Sequence, residues 1–225
     1  MKPLVDCRLY TFVDAAYLNG RAPETIAQQL CDGGSDLIQL RAKSSSADEI
    51  RRMAEAILPI TKRAGAGMVI NDYPEIAREA GAEFCHLGQE DFFDAGHTRV
   101  DQLLLKGQAP SASTPSALKI GLSSHSPEQA QRAVEAGADY IAVGPVYATG
   151  TKPGRKPVTL EYVRWAASNL KTPWFAIGGI NLQNLDEVLE AGARRICVVS
   201  AILNPLDVAG TCREFRRKLD AFASS

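Results

Sequence analysis

Three polar side chains alternate with apolar ones at the end of a short hydrophobic run. Gln39, Arg41 and Lys43 are separated by single residues, so in an extended strand they lie on one face. Two cations and an amide could therefore converge at one place in the fold. The alternative is a solvated basic loop without a ligand.

Two acidic residues, Asp72 and Asp91, each follow a further apolar run. Mg²⁺ in proteins takes one or two carboxylates and completes its coordination with water and phosphate oxygens. The pair therefore predicts a magnesium site beside a phosphorylated substrate, with turn formation or helix capping as the alternative role. The five cysteines are widely spaced and form no C-x-x-C pair, which disfavours both a zinc site and a disulfide scaffold.

Two glycines, Gly178 and Gly179, separate an apolar run from a predicted helix. Because they carry no side chain, their backbone N–H groups can approach a ligand without obstruction. Val199 and Ser200 occupy a similar place one unit later in the chain. Together these residues predict a phosphate site, and a packing role for the glycine pair is the alternative.

Three further features could contribute to chemistry. Residues 144–158 are rich in Gly and Pro and contain Lys152, which predicts either a lid that brings this lysine onto an anion or a surface connection. Ser123 and His125 follow another apolar run. Ser123 is interpreted as a hydrogen-bonding group and His125 as a general base, and the alternative is that both cap the start of a helix. His86 lies among apolar residues and is interpreted as a core or rim histidine.

A repeated unit of helix end, glycine and strand connects these candidates. In each repeat a glycine precedes a small residue, one or two polar positions and an apolar run, at Gly34, Gly81, Gly137 and Gly192. Such a glycine is expected in the left-handed conformation just past a helix C-terminus. Four other apolar runs alternate with these, which predicts eight strands separated by helices.

Eight alternating strands and helices predict a single (β/α)₈ TIM barrel over residues 1–225, with working residues at the carboxyl ends of the strands. The candidates above fall at such ends. The alternative is a doubly wound open sheet, but no G-x-G-x-x-G follows the first apolar run. Residues 107–117 consist almost entirely of Gly, Ala, Pro, Ser and Thr, which predicts a flexible loop insertion before the fifth strand.

Composition excludes several classes of protein. The 225 residues are 45% hydrophobic and 23% charged, as in globular domains. Lys and Arg number 25 against 26 Asp and Glu, which argues against a nucleic-acid or acidic membrane partner. The longest uncharged stretch, 172–185, is too short for a membrane span, and Asp6 interrupts the place of a signal-peptide core. We expect a reduced, cytoplasmic protein with small-molecule partners, and its oligomeric state is left open.

Five motifs in chain order resemble those of the thiamine-phosphate synthase family. They are Gln39-Leu40-Arg41-Ala42-Lys43, Ile70-Asn71-Asp72, His86-Leu87-Gly88-Gln89-Glu90-Asp91, Gly144-Pro145-Val146-Tyr147 with Thr149-Gly150-Thr151-Lys152, and Ile177-Gly178-Gly179-Ile180. The resemblance extends from the first predicted strand to the last helix. It implies a (β/α)₈ barrel that uses Mg²⁺ to join hydroxymethylpyrimidine diphosphate to thiazole phosphate, with thiamine phosphate and diphosphate as products.

The resemblance also implies roles for individual residues. The pyrimidine diphosphate would be bound by Gln39, Leu40, Arg41, Ala42, Lys43, Asn71, Ser123 and Lys152, with Arg41, Lys43, Ser123 and Lys152 as the catalytic groups. Asp72 and Asp91 would hold Mg²⁺. The thiazole phosphate would be bound by Thr149, Gly150, Thr151, Gly179, Val199 and Ser200. The chain departs from the family at Ala42, where an acid is common, and at Ala148, where Pro is common.

Two other functions are compatible with the same barrel. One is a thiazole tautomerase with His125 as proton shuttle, and the other is a non-catalytic regulator that binds thiazole or thiamine phosphate. A tautomerase would not need Arg41, Lys43, Asn71, Asp72 and Asp91 together, so their joint presence favours the synthase over the tautomerase. The regulator is distinguished by titration with both substrates and a product assay, because a regulator binds without releasing diphosphate.

Overall fold

The computed structural model describes residues 1–104, 118–150 and 156–223. Within these ranges eight parallel strands pair in chain order and close into a barrel. They are β1 Leu9–Asp14, β2 Leu37–Arg41, β3 Gly67–Asn71, β4 Phe84–Leu87, β5 Lys119–Ser124, β6 Tyr140–Val143, β7 Trp174–Ile177 and β8 Ile196–Cys197. The predicted (β/α)₈ barrel is thus confirmed. The predicted loop insertion, 107–117, lies outside the described residues and stays a prediction, as does the single-domain boundary.

Helices connect the strands and cover the outside of the barrel. They are α1 Pro23–Asp32, α2 Ala47–Ala64, α3 Pro74–Ala80, α4 Gln89–Asp94, α5 Asp101–Leu104, α6 Pro127–Glu135, α7 Thr159–Asn169, α8 Leu185–Glu190, α9 Ser200–Leu203 and α10 Val208–Ala223. Short 3-10 helices occupy Leu4–Asp6 and Ala15–Tyr17. Among the described helices, none combines the length and apolar character that crossing a membrane requires.

Local sequence accounts for where these helices begin and end. The Ser46 hydroxyl accepts a hydrogen bond from the Glu49 backbone N–H, and the Glu49 carboxylate accepts one from the Ser46 N–H, so a capping box starts α2. The Ser126 side chain accepts a hydrogen bond from the Gln129 N–H and caps α6 in front of Pro127. The glycines of the repeat all have positive φ, with 85° at Gly34, 74° at Gly81, 84° at Gly137 and 105° at Gly192. This confirms their left-handed conformation at helix ends.

The register of the strands brings polar residues together at the carboxyl end of the barrel. Asp14 of β1 lies opposite Arg41 of β2, and Asn71 of β3 lies opposite His86 of β4. The strands are almost entirely buried, because their outer side chains pack under the helices. The inner side chains alternate with these outer ones along each strand. Residues two positions apart on one strand therefore lie on the same face of the barrel, and those on the inner face point to its interior.

An aromatic layer fills the barrel beneath that cavity. The rings of Tyr10, Tyr140 and Phe175 pack edge to face, with centroids 5.4 to 6.0 Å apart. Gly121 lies opposite Tyr140 on the neighbouring strand, and a Cβ added at Gly121 would overlap the Tyr140 ring at Cζ. The absence of a side chain at Gly121 is therefore what admits the Tyr140 ring to the barrel interior.

Candidate active site

A cavity of about 780 Å³ opens at the carboxyl ends of the strands. Every strand contributes to its wall, through Tyr10 and Phe12 of β1, Gln39 and Arg41 of β2, Asn71 of β3, His86 of β4, Ser123 of β5, Ala142 of β6, Ile177 of β7 and Cys197 of β8. The remaining wall comes from the loops that follow the strands. This is the end of the fold at which TIM barrels carry their active sites.

Most residues predicted from the sequence line this cavity. They are Gln39, Arg41, Lys43, Asn71, Asp72, Asp91, Ser123, Thr149, Gly179, Val199 and Ser200. Leu40 and Ala42 are instead buried outside the cavity lining, since they alternate with the cavity-facing residues of β2. Gly150 is described but does not contribute to the lining. Thr151 and Lys152 lie outside the described residues.

The two basic residues of the first motif each contact a carboxylate. Nη1 of Arg41 lies 2.7 Å from Oδ2 of Asp14, whose side chain is almost completely buried. Nζ of Lys43 lies 3.2 Å from Oδ2 of Asp72, and the Asn71 amide donates to the same oxygen at 2.6 Å. The family resemblance assigns Lys43 to the diphosphate and Asp72 to the metal, and the structure brings these two residues into direct contact.

The two predicted metal ligands reach the cavity from different backbone settings. Asp72 has a positive φ of 67°, and its N–H donates to the carbonyl of His86 at 2.9 Å. Asp91 is the third residue of α4, and a Cβ added at Gly88 would lie 2.5 Å from Oδ2 of Asp91. Gly88 thus leaves the space that the Asp91 carboxylate occupies.

The donor set at this edge of the cavity suits a hard cation. Asp72, Asp91 and Glu90 are acidic residues of the lining, and Mg²⁺ prefers oxygen ligands and keeps several waters. Across the described ranges, no group of three or more His, Cys, Asp or Glu side chains is arranged as a metal site. Asp72 and Asp91 alone would leave most of the coordination of a bound Mg²⁺ to water and other oxygen ligands.

Behind the cavity, polar side chains from five strands form a buried chain of hydrogen bonds. The Gln39 amide donates to the Tyr10 hydroxyl, which lies 3.0 Å from the Tyr140 hydroxyl. The latter lies 3.2 Å from Nδ1 of His86, and Nε2 of His86 lies 3.0 Å from the Ser123 hydroxyl. His86 is thus a hydrogen-bonded histidine at the base of the cavity, as its apolar neighbours in the sequence indicate.

The glycine pair of the predicted phosphate site packs against the start of the long loop. A Cβ added at Gly178 would overlap Cβ of Pro145, and one at Gly179 would lie 2.7 Å from the Ala148 carbonyl oxygen. The Tyr147 N–H donates to the Gly178 carbonyl at 3.0 Å. Gly178 and Gly179 therefore have a packing role against the long loop, and Gly179 also lines the cavity.

Some functional candidates escape sequence reasoning. Asp14 ends the first apolar run, and inspecting that strand end would have found it as the partner of Arg41. Lys156 lines the cavity beyond the predicted lid lysine. Tyr140 carries no local signal, because it stands at the start of an apolar run like any core aromatic. Nδ1 of His125 hydrogen-bonds the Gly144 carbonyl, so this side chain contacts the start of the long loop.

Comparisons with known proteins agree with the fold. Residues 9–202 match the family model of thiamine monophosphate synthase. The thiamine-phosphate synthase of Acidothermus cellulolyticus is 44% identical over 222 residues, which cover 98% of each chain. That of Thermus thermophilus is 46% identical over 188 residues, 83% of this chain and 84% of its own.

A solved structure has a similar fold. Thiamine phosphate pyrophosphorylase from Pyrococcus furiosus superposes with a TM-score of 0.78 at 25% sequence identity, covering 97% of this chain and 98% of its own. Sequence motifs, barrel and relatives agree over nearly the whole length, and this chain belongs to the thiamine-phosphate synthase family.

Proposed function

We propose that the cavity at the carboxyl end of the barrel is where this chain makes thiamine phosphate. The family activity is a transferase reaction. The substrates we propose are 4-amino-2-methyl-5-hydroxymethylpyrimidine diphosphate and 4-methyl-5-(2-phosphoethyl)thiazole. The bond between the pyrimidine methylene carbon and the diphosphate oxygen breaks, and the thiazole nitrogen bonds to that carbon. The observation that carries the proposal is the convergence of cations, acids and amides from separate motifs in one cavity.

The diphosphate is proposed to lie on the side of the cavity formed by β2 to β5. Arg41, Lys43, Asn71 and Ser123 line this side. The two cations would neutralise the charge that gathers on the leaving group, and the amide and the hydroxyl would donate hydrogen bonds to it. Leu40 and Ala42 are buried, so any contact from them would come through the backbone. Lys152 would add a further cation from the long loop, at the leaving diphosphate.

Asp72 and Asp91 are the proposed holders of Mg²⁺. When bound, the ion would supply Lewis-acid stabilisation to the departing diphosphate. Lys43 and Asn71 both contact Oδ2 of Asp72, so these two side chains orient the carboxylate. Support for the metal comes from the two carboxylates themselves, because both Asp72 and Asp91 line the cavity and Mg²⁺ prefers oxygen ligands.

The thiazole phosphate is proposed to lie on the opposite side, formed by β6 to β8 and their loops. Thr149, Gly179, Val199 and Ser200 line this side, and Gly150 and Thr151 belong to the same proposed set. The two phosphorylated groups are then separated by the width of the barrel mouth. Such a separation leaves the centre of the cavity for the reacting methylene carbon and thiazole nitrogen, and it keeps two anions apart.

The proposed compartment is the reducing cytoplasm. Each of the five cysteines is a free thiol, and thiols persist in reducing compartments. Burial raises the pKa of Cys7 and of Cys31 to about 11. Both thiols therefore stay protonated and weakly reactive near neutral pH.

The test is a direct assay of purified protein with both substrates and Mg²⁺. We expect equal amounts of thiamine phosphate and diphosphate, measured by mass spectrometry and by a coupled diphosphate assay. Calorimetric titration with each substrate distinguishes the regulator hypothesis, in which both ligands bind and no diphosphate is released. That result would refute the proposal. Conversion of the thiazole alone to an isomer, without condensation, would favour a tautomerase instead.

A further inference from the structure

The hydrogen-bond chain under the cavity connects residues from opposite sides of the barrel. In order it contains Gln39 of β2, Tyr10 of β1, Tyr140 of β6, His86 of β4 and Ser123 of β5. We call these five residues the interior chain. Each is at most 8% exposed. Its two ends, Gln39 and Ser123, line the cavity, as do Tyr10 and His86, whereas Tyr140 in the middle does not.

With the Gln39 amide nitrogen directed toward Tyr10, the donors and acceptors of the interior chain allow one direction. The Gln39 nitrogen can only donate, so the Tyr10 oxygen accepts and the Tyr10 proton points to Tyr140. The Tyr140 hydroxyl then donates to Nδ1 of His86. An imidazole that accepts at Nδ1 carries its proton on Nε2, and this proton goes to the Ser123 oxygen.

The direction determines what each end presents to a ligand. At one end the Gln39 amide nitrogen donates to Tyr10 inside the barrel. The carbonyl oxygen of the same amide is then the group that can accept a hydrogen bond from a ligand. At the other end the Ser123 oxygen already accepts from His86, which leaves its hydroxyl proton as a donor. If the Gln39 amide were reversed, every bond would reverse and Ser123 would offer lone pairs instead.

Tight packing surrounds Tyr140 in the middle of the interior chain. The imidazole of His86 stacks on the ring of Tyr140 at 5.6 Å, and Phe175 contacts both tyrosines edge to face. The Tyr140 ring also occupies the space left open at Gly121. Burial raises the pKa of both phenols well above the usual value, so the hydroxyl protons stay in place. An unpaired group in such a site is costly, which favours the fully bonded arrangement.

We propose that Tyr10 and Tyr140 are positioning residues, which act through Gln39 and His86 to fix an acceptor at one end of the interior chain and a donor at the other. Tyr140 holds His86 as the Nε2–H tautomer, and Tyr10 holds the Gln39 amide with its oxygen toward the cavity. For the identity of the ligand this inference rests on the proposed function. An aminopyrimidine offers an amino donor and ring-nitrogen acceptors, which complements those two ends in hydrogen-bond type.

The first experiment measures the tautomer of His86 in the protein without ligand. Long-range proton–nitrogen correlation spectra distinguish a protonated from an unprotonated imidazole nitrogen. The chain has three histidines, so a His86→Gln variant identifies the relevant signals. We expect the proton on Nε2 in the wild type and a mixture of tautomers in Tyr140→Phe, which loses the hydroxyl but keeps the ring. A proton on Nδ1 in the wild type, or an unchanged tautomer in Tyr140→Phe, would overturn the proposal.

The second experiment compares binding of the two substrates. In Tyr140→Phe we expect the dissociation constant of the pyrimidine diphosphate to rise about tenfold, as for the loss of one ordered hydrogen bond. The KM for the thiazole phosphate should stay within about twofold of the wild type, because the interior chain ends on the pyrimidine side. Equal weakening of both substrates would indicate a purely structural role and contradict the inference.

Tyr162→Phe is the matched control. Its hydroxyl is also buried and hydrogen-bonds the Ser124 hydroxyl at 2.8 Å and the Ser126 carbonyl at 2.7 Å, outside the interior chain. We expect a comparable drop in melting temperature with normal pyrimidine binding. Tyr10→Phe is the second variant: it should release the Gln39 amide and weaken pyrimidine binding.

The experiments distinguish a failure of the proposed function from a failure of the positioning role. In that case the wild type would bind no pyrimidine diphosphate and form no product. The tautomer measurement needs no ligand, so it tests the direction of the interior chain independently. A wild type that binds the diphosphate while Tyr140→Phe and Tyr10→Phe bind it equally well would refute the positioning role and leave the proposed function standing.

Discussion

Arg41 and Asp14 form a buried ion pair across the first two strands of the barrel. Nη1 of Arg41 lies 2.7 Å from Oδ2 of Asp14, and the carboxylate side chain is 2% exposed. The other oxygen, Oδ1, accepts a hydrogen bond from the Ala16 N–H at 3.0 Å. Both oxygens of Asp14 are therefore engaged, and the guanidinium is held at one orientation in the cavity wall.

Asp14→Asn should lower both stability and turnover. If the oxygen of the introduced amide keeps the bond to Ala16, the amide nitrogen faces Arg41, so two donors oppose each other. We expect a loss of about 2 kcal/mol in the free energy of unfolding and about a tenfold fall in kcat. Urea unfolding and steady-state kinetics measure these changes. The control is Asp220→Asn, which removes an exposed partner of Arg216 and should cost less than about 1 kcal/mol. Equal effects of the two substitutions would contradict the prediction.

Activity should depend on Mg²⁺ through Asp91. We expect a chelator to abolish turnover, Mg²⁺ to restore it, and Asp91→Asn to raise the Mg²⁺ concentration for half-maximal activity by at least about tenfold. Asp94 lies on the same helix, outside the cavity lining, so Asp94→Asn is the control. The measurement is turnover against free Mg²⁺ concentration. Full activity in chelator, or a normal Mg²⁺ requirement in Asp91→Asn, would contradict the prediction and indicate that Asp91 has a capping role.

Lys152→Ala should reduce turnover much more than it weakens thiazole-phosphate binding. The lysine is assigned to charge that develops on the leaving diphosphate, so its effect belongs to the transition state. We expect kcat to fall by about a hundredfold and thiazole-phosphate affinity to change less than about twofold. Lys171→Ala, an exposed lysine before β7, is the control. Similar losses in both quantities would make Lys152 a general anchoring residue.

Ser200→Asp should exclude the thiazole phosphate by repulsion between two negative charges. Because Ser200 lies on the β8 side of the cavity, pyrimidine diphosphate binding on the β2 side should persist. Calorimetry should show thiazole-phosphate affinity reduced by at least about tenfold. Ser200→Ala separates loss of the hydroxyl from addition of charge, and a smaller effect is expected there. Unchanged thiazole-phosphate affinity in Ser200→Asp would disprove the assignment of this phosphate site.

Stability should fall in alkaline solution. Burial raises the pKa of Cys7 to about 11 and that of Cys212 to about 12, against an ordinary value of 9.0. Above about pH 9 the unfolded chain loses these thiol protons while the folded chain keeps them, so unfolding becomes easier as pH rises. Denaturant unfolding at a series of pH values should show a plateau below about pH 8 and a decline above it. The decline should be smaller in Cys7→Ala, and a flat profile to about pH 10 would contradict the prediction.

Local patterns in the sequence determine the architecture and most of the cavity lining. The glycines at helix ends, such as Gly81 and Gly137, mark where each strand begins, because few other residues adopt a positive φ. Alternation along a strand then separates Gln39 and Arg41 from Leu40. These inferences need only neighbours in the chain, so they hold before any tertiary contact is known.

Contacts between distant strands are decided only when the barrel closes. Tyr10 and Tyr140 are 130 residues apart in sequence, and their hydroxyls meet at 3.0 Å inside the barrel. Nothing in either local sequence distinguishes them from core aromatics. Likewise, the contact of Lys43 with Asp72 depends on the pairing of β2 with β3 and on the positive φ of Asp72. Spacing along the chain specifies which way a side chain points, whereas register and closure specify which partner it meets.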